Sequence, residues 1–420
     1  LTSLVSKIME RLLANAVKDH LNSNCLLSDK QHGFVPYKSC VTQLMNVYHS
    51  WATTFDKRSP PRIDAVFLDM SKAFDRMPHH ILVRKLASNF NIRGSLWSWI
   101  KDFLVDRQQR VTFVGMNSSW SVVSSGVPQG SVLGPLLFNL FINDISYNLS
   151  SNCVLFADDV LIYRPIRSCL DVSSLQHDLD ELSTWSVSNG MTFNPTMSKI
   201  MHISRKHSLD PPVYTLSGFP VQPTSSVKYL GVTLNAQLSW NNHVKNVVSS
   251  ANRTLGLIKT IAFNSSVSAK FCLYKSLVLP ILEYGMPAWL PHTSLQTQAL
   301  ERVQKRATRF ILGQRMGEMS YPDRLKSLNW SSLSIRRNFS VLYFIIKCKF
   351  NLIHCDVADI ISVNHRYPNV LTFKHLYART DALHLSAPHL FPRLWYSLPE
   401  NICNSLLLLP FHSFLKSLRF

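Results

Sequence analysis

With 420 residues, 46% of them hydrophobic, the chain is long enough for two or three domains and apolar enough to bury a core, which excludes a disordered polymer. Lys and Arg number 44 against 25 Asp and Glu, and the formal charge of +19 favours a polyanionic partner, either nucleic acid or an acidic membrane surface. No run of about 18 apolar residues is free of charge, no secretory leader is visible, and the eight cysteines are scattered without a CxxC pair, so no spanning helix, disulfide framework or zinc knuckle is expected.

The chain opens inside an amphipathic pattern, "LVSKIMERLLANAVKDHL", which predicts a helix over residues 1–24 with Leu4, Ile8, Leu12, Leu13 and Ala16 on its apolar face. Because it starts there, and on Leu1, it is expected to be a piece of something longer. Gly33 and Pro36 break the pattern, and a second helix is expected over 39–55. After Pro60 and Pro61, "IDAVFLDM" has the length and the β-branched, aromatic composition of a strand that ends on Asp69. A turn and helix follow, then a helix over 94–105, two strands within "RQQRVTFVG" and "SSWSVVSS", and a Gly- and Pro-broken loop entering the apolar helix of "GVPQGSVLGPLLFNLFINDI". Next come the hairpin "VLFADDVLIY", a polar helix over 171–188, and strands over 191–203 and 227–235. From Trp240 onward helices are expected over 241–262, 267–283 and 295–312, so a domain boundary is expected near residue 236.

In "VLFADDVLIY" two apolar runs flank a polar tip formed by Asp158 and Asp159. One reading is a surface hairpin whose aspartates point to water. The other follows from flanks that are apolar on both faces, as in a covered strand, which would lay the tip against the rest of the fold and raise its pKa values unless a cation intervened. Asp69 has the same signature, an apolar strand ending in an acid. Carboxylates brought together at strand ends make a hard oxygen site suited to Mg²⁺ or Mn²⁺. Two such ions about 3.5–4 Å apart serve in-line phosphoryl transfer.

The ordered segments "AVFLDMSKAFD", "SSGVPQGSVLGPLLFNLFINDI" and "FADDVLIY" resemble motifs of the reverse transcriptases of non-LTR (LINE-type) retrotransposons, especially jockey-like ones. "QHGFVPYKSC", "WSWIKDFLVDRQQRV", "VKYLGVTL" and "SWNNHVKNVVSSANRTLG" extend the match, and "FPRLWYSLPENI" is similar to the tail of such reading frames. The resemblance implies an α+β right-hand polymerase with an antiparallel-sheet palm, partial fingers, a helical thumb and a C-terminal helical extension. The segments would be 1–60 partial fingers, 61–235 palm with a fingers-side insertion at about 85–122, 236–320 thumb, and 321–420 of unknown role.

It also implies RNA-directed DNA synthesis on template RNA and a DNA primer from dNTPs, with two Mg²⁺ or Mn²⁺ ions and no membrane, in the nucleus or cytoplasm. Asp69, Asp158 and Asp159 would be the catalytic, metal-binding acids, Phe74 a steric gate under the incoming sugar, and Gln129 and Gly130 neighbours of the nucleotide. Gly126 and Gly130 would permit close backbone approach. Tyr229, Leu230 and Gly231 would form the primer grip. Independently of the family, Arg302, Lys305, Arg306 and Arg309 recur at helical spacing as one basic face opposite Leu300, Val303, Ala307, Phe310 and Ile311, able to track phosphates or simply to be solvated.

The chain departs from the family pattern where an Arg expected on the triphosphate is Val35 and the following Gly and Arg are Tyr37 and Lys38. Likewise Met197 replaces a Lys, with Lys199 two residues on and, in a strand, on the same face. Lys38 and Lys199 are therefore the candidate triphosphate cations. The alternative function is a catalytically decayed relic that folds and binds nucleic acid without polymerising. The upstream fingers segment and an endonuclease domain are expected to be missing from this chain.

Overall fold

In the computed structural model, which describes residues 3–205, 211–314, 317–358, 363–364, 372–374 and 376–398, the first helix starts where the Ser3 side chain accepts the Ser6 N–H at 3.1 Å. This helix, α1 (Leu4–Ser23), buries Glu10, Ala14, Val17 and Leu21. The expected apolar face is the outward one: Leu4, Ile8 and Leu12 are 80%, 65% and 63% exposed. Glu10 explains the reversal. Its carboxylate accepts the backbone N–H groups of Val132 at 2.6 Å and Leu133 at 3.1 Å, so it turns inward to neutralise another helix's N-terminus and carries the Ala14, Val17, Leu21 stripe with it.

Next come α2 (Cys40–Phe55), β1 (Arg62–Leu68), the single-turn α3 (Ala73–Arg76), α4 (His79–Ser88) and α5 (Gly94–Leu104). The two strands expected between 107 and 125 form an interrupted, exposed hairpin in which β2 (Gln108–Gln109) pairs with β5 (Ser121–Val122) and β3 (Thr112–Phe113) with β4 (Met116–Asn117). The helix α6 (Leu133–Ile142) is buried everywhere but at Pro135, as a helix apolar on all sides must be.

β6 (Asn152–Phe156) and β7 (Asp159–Ile166) lead to α7 (Cys169–Ser188), begun by a capping box between Ser168 and Asp171. β8 (Lys199–Ile203), β9 (Thr215–Leu216), β10 (Phe219–Pro220), β11 (Gln222–Pro223), β12 (Ser226–Tyr229) and β13 (Val232–Asn235) follow. The helical remainder comprises α8 (Asn241–Ile261), α9 (Val267–Leu273), α10 (Leu279–Glu283), α11 (Ser294–Leu312), α12 (Tyr321–Ser327) and α13 (Leu333–Lys349). A last stretch holds β14 (Val363–Asn364), β15 (Thr372–Phe373), α14 (Asp381–His384) and α15 (Ala387–Tyr396), whereas the end of the "FPRLWYSLPENI" segment lies outside the described residues.

Two compact units result: Leu1–Ser39, Arg62–His202 and His207–Thr224 in one, Cys40–Pro61, Ile203–Lys206 and Ser225–Phe420 in the other. The first is organised on a five-stranded sheet of order β11-β8-β1-β7-β6. β1 runs antiparallel to β7 from Arg62↔Ile166 to Leu68↔Val160, β6 is antiparallel to β7, and only the short edge strand β11 is shown parallel to its neighbour β8. Val66, Leu68, Leu155, Val160 and Ile162 form a core with Leu137, Phe138 and Phe141 of α6 and Leu175, Leu179 and Leu182 of α7. Each such side chain contributes roughly 1.5–3 kcal/mol when fully buried.

In the second unit the helix expected over 267–283 is continuous but widens into a π turn at Tyr274–Val278, directly before Pro280, whose ring and missing N–H disturb the preceding turn. Thr293 and Gln296 make a capping box for α11, and Gly313 ends it at φ 67°. No helix among the described residues is long and apolar enough to cross a membrane.

The buried charge of the first unit includes a carboxylate with partners of opposite sign. Asp64 of β1 is 0% exposed; it accepts hydrogen bonds from Tyr214 Oη at 2.8 Å and Arg62 Nε at 2.7 Å, and lies 2.8 Å from His202 Nδ1. Burial by itself would raise its pKa, but the hydrogen bonds from His202 and Arg62 outweigh it and hold the carboxyl below the usual carboxylate range. Asp64→Ala is expected to destabilise the chain by about 3–5 kcal/mol at neutral pH, measured by denaturant unfolding, because it leaves Arg62 and Tyr214 unpaired. Since the pKa is lowered, the difference from the unmodified chain should persist above the ordinary Asp range and shrink as pH falls through it.

Candidate active site

The carboxylates meet at one end of β1 and β7. Their last pair is Leu68↔Val160, so the next position along the register brings Asp69 across from Asp159. On the other side Phe156 pairs with Asp159, which leaves Ala157 and Asp158 as the turn. The expected two-aspartate tip is therefore shifted by one residue: Asp159 is already in the strand, and Ala157 takes the left-handed turn position at φ 54°.

The Asp69 backbone is held on both sides. Its N–H donates to Ser198 Oγ at 3.3 Å, and its carbonyl accepts the Asn194 N–H at 2.8 Å. Burial raises the pKa of Asp69; burial and then the Asp69 charge raise that of Asp158, against a backbone N–H that lowers it. Asp159 is pushed up to about 6, first by burial and then by Asp158 and Asp69. None of the three is in an ion pair among the described residues.

No three His, Cys, Asp or Glu side chains among the described residues close into a cage that would hold a metal through protein ligands alone. Mg²⁺ usually takes one or two carboxylates and fills its octahedron with water and substrate phosphate. Hard oxygens that repel one another and lack a cationic partner suit such an ion.

The turn between β6 and β7 is braced by the "QHG" of the segment that resembles a family motif, where no bracing role was expected. Gln31 Oε1 accepts the N–H of Ala157 at 2.9 Å and of Gly33 at 2.7 Å, and Gln31 Nε2 donates to the Ala157 carbonyl at 3.4 Å. His32 N–H donates to the Leu155 carbonyl at 2.9 Å, so this segment runs beside β6 like a short extra strand. A Cβ on Gly33 would stand 2.4 Å from Ala157 N, and the Gly33 carbonyl accepts from Asn139 Nδ2 at 2.7 Å. The sequence signal was present in "QHG": a polar pair before a glycine, with no apolar face of its own.

Phe74 stacks on Phe138, ring centroids 4.4 Å apart, and meets Phe34 edge-on at 6.2 Å. The "GVPQG" loop docks onto the same segment: Val127 N–H donates to the Phe74 carbonyl at 2.9 Å, and Gln129 Nε2 donates to Asp75 Oδ1 at 3.2 Å. Gly126, at φ 79°, needs to be glycine twice over, since a Cβ would lie 2.6 Å from the Phe74 carbonyl oxygen. Gly130 differs from expectation in detail: its φ of 80° requires glycine, but no protein atom lies within 4 Å of a Cβ built there.

The two candidate triphosphate cations are placed differently. Lys38 Nζ donates to the carbonyls of Asp29 and Gln31, the latter at 3.2 Å, tying it to its own loop. Lys199 is exposed at the start of β8. The expected strand over 191–203 is confined to Lys199–Ile203 because Asn194 folds the chain before it: its side chain accepts from Thr196 and its carbonyl from the N–H groups of Met197 and Ser198. Met197 is thus in a turn, and the same-face argument linking it to Lys199 fails.

In the second unit, the strand expected over 227–235 is the hairpin β12–β13, with Leu230 at φ 45° and Gly231 at φ 82° as a two-residue turn. Tyr284 Oη donates to the Leu230 carbonyl at 2.9 Å, and Gly231 has no room for a Cβ beside the Tyr284 ring, 2.6 Å away. Tyr229 is buried, with Gln43 donating to its hydroxyl. On α11, Arg302 and Arg306 are exposed, whereas Lys305 lies over the Tyr321 ring at 5.1 Å. Phe310, expected on the apolar side, is only half-buried, among Lys and Arg side chains.

An α+β unit whose antiparallel strands carry acids at one end, backed by helices, is the arrangement expected of the palm of a right-hand polymerase. Residues 1–234 match the family model described as "Reverse transcriptase (RNA-dependent DNA polymerase)", and the chain belongs to that family. It is 29% identical over 325 residues to the probable RNA-directed DNA polymerase from transposon BS of Drosophila melanogaster, covering 74% of this chain and 35% of that protein. It is 27% identical over 321 residues to the RNA-directed DNA polymerase from mobile element jockey of the same fly, covering 74% and 34%. The chain thus spans about a third of the length of these relatives. A solved telomerase from Candida tropicalis is 12% identical over 82% of this chain and 55% of that one, at a TM-score of 0.43.

Two outcomes test this geometry. Gly33→Ala is expected to cost about 1–3 kcal/mol in denaturant unfolding, because the backbone of the turn must move to admit the methyl group. Asp159→Asn, in buffer without divalent ions, is expected to raise the midpoint of thermal unfolding at pH 7–8. The raised pKa makes the ionised carboxyl a liability above about 6 and leaves none below the ordinary Asp range, so the gain should vanish near pH 4. The carboxyl is desolvated on its sheet side but open to solvent on the other, which screens the effect to roughly 1 kcal/mol.

Proposed function

We propose that this chain is the polymerase portion of a non-LTR (LINE-type) retrotransposon and copies RNA into DNA, joining the α-phosphate of a dNTP to a primer 3′-hydroxyl. The observation that carries this reading is the gathering of Asp69, Asp158 and Asp159 at one strand end, in each other's field and without a cationic partner. Asp69 and Asp158, with Asp159 beside them, would hold Mg²⁺ or Mn²⁺, and two such ions, when bound, stabilise the attacking and leaving oxygens of in-line phosphoryl transfer.

The chain's own residues orient the reactants. Phe74, fixed by its stack on Phe138, would stand under the incoming sugar and clash with a 2′-hydroxyl, while Gln129 and Gly130 border the nucleotide. Lys199, and Lys38 through its loop, would set positive charge near the triphosphate. The Tyr229, Leu230, Gly231 turn would support the primer end, and Arg302, Lys305, Arg306 and Arg309 would meet nucleic-acid phosphates. Residues 1–60 are then partial fingers, 61–235 the palm, 236–320 the thumb and 321–420 an extension. The enzyme would work inside the cell, in the nucleus or cytoplasm.

Primer extension on poly(rA)/oligo(dT) with Mg²⁺ tests the reading. The unmodified chain should extend the primer, and Asp158→Ala with Asp159→Ala should lose on the order of 1,000-fold or more in rate. Equal incorporation by the two, with the duplex still bound, would show a polymerase fold that no longer polymerises.

A further inference from the structure

Within the second unit, α8, α9 and α11 enclose a cleft of about 860 Å³ lined chiefly by Lys259, Phe263, Lys270, Arg306, Arg309 and Phe310. Four cations and two aromatic rings therefore share one wall, and two of the cations lie over the Phe310 ring. Lys270 Nζ lies 4.9 Å and Lys259 Nζ 5.9 Å from the Phe310 centroid. Arg306 Nη1 donates to Asn252 Oδ1 at 3.3 Å and Arg309 Nε to the Lys305 carbonyl at 3.4 Å, so both guanidinium groups are oriented by neutral oxygens.

Among the described residues no Asp or Glu lines the cleft, and α8 and α9 contain none. The single acid of α11, Glu301, is engaged by the Tyr321 hydroxyl and the Leu333 N–H. Burial, and then Arg306 and Arg309, draw the Lys259 pKa down, the expected response of an ammonium crowded by like charge. The stem of the cleft is thus repulsive until an anion enters it.

Phe263 decides which anion. It lines the cleft yet is 72% exposed, and α8 ends just before it, so it stands as a bare ring beside a field of cations. A duplex presents phosphates but hides its base faces. A single strand presents both, and a positive groove with exposed aromatic rings is the usual means of holding one.

We propose that this cleft binds single-stranded nucleic acid, with Lys259, Lys270, Arg306 and Arg309 on successive phosphates and Phe263 and Phe310 stacked on bases. It deepens the polymerase reading and rests on it for the choice of a nucleic acid, and it assigns the strand a holding point within the second unit. The site differs from a basic stripe along α11 alone, since Lys305 is turned to Tyr321 while Lys259 and Lys270 come from other helices.

Phe263→Trp places an indole at an exposed position and reports on stacking, with the unsubstituted chain as blank for its nine native tryptophans. Twelve-nucleotide oligo(rU) or oligo(dT) should quench the added fluorescence, and a blunt duplex of equal length should do so at least tenfold more weakly. Adding Lys270→Ala and Arg306→Ala should weaken single-strand binding at least tenfold at 0.1 M salt and lower its salt slope by about 1.4, two phosphate contacts' worth. Equal quenching by the duplex, no quenching by a bound single strand, or a response to phosphatidylserine vesicles in place of oligonucleotides would each overturn the proposal. Primer extension on the same preparation separates the two readings: extension without quenching sinks the cleft alone, and quenching without extension sinks the polymerase.

Discussion

Antiparallel pairing of β1 with β7 forces carboxylates that repel one another to the same end of a largely buried sheet. The register ending at Leu68↔Val160 leaves Asp69 and Asp159 no other placement, and the Ala157, Asp158 turn adds a third charge. Burial makes all three reluctant to ionise, and neighbouring charge adds to this for Asp158 and Asp159, so the arrangement costs the fold stability, a cost that divalent cations would relieve under the proposed function. The surroundings are built to hold this arrangement without discharging it. Gln31, Ser198 and Asn194 brace the backbone with neutral groups, whereas a Lys or Arg in their place could form an ion pair with the acids.

Several cations are engaged by other groups. Asp64, the one buried acid of β1 that has partners of opposite sign, lies five residues upstream, among Arg62, His202 and Tyr214. Lys38 is held by backbone carbonyls of its own loop. In the second unit, helices α8, α9 and α11 gather Lys and Arg into a cleft with no acid in its wall among the described residues. The formal charge of +19 is therefore a pattern of local fields rather than a uniform coat. That is how a protein can attract a polyanion to one surface and reserve another for metal ions.

Much of this was legible in the residues. Apolar periodicity located α2, α5, α8 and α11 within a residue or two, and apolar strands ending in acids marked Asp69 and the hairpin. The misreadings share a cause, namely that local pattern does not register a distant partner. Leu4, Ile8 and Leu12 make a convincing buried stripe until Glu10 is required at the N-terminus of α6, 122 residues away. Residues 191–198 carry enough apolar character for a strand, yet the short-range bonds of Asn194 fold them into a turn against Asp69. The run through Tyr229 and Val232 reads as one strand because Gly231 is a lone turn signal among apolar and β-branched residues; Tyr284 holds the turn from another helix.

The sequence by itself determined the composition of the candidate site: which acids end apolar strands, which glycines sit where backbones must approach or bend, and which helix carries a basic face. These follow from side-chain chemistry and short spacings, which survive without coordinates. Only the tertiary structure decided the one-residue shift of the hairpin turn, the bracing of that turn by Gln31 and Gly33, the outward face of α1, and the convergence of Lys259 and Lys270 on Phe310. Those depend on contacts between residues tens to more than a hundred positions apart, and no local periodicity encodes which distant carbonyl, ring or helix end a side chain will meet.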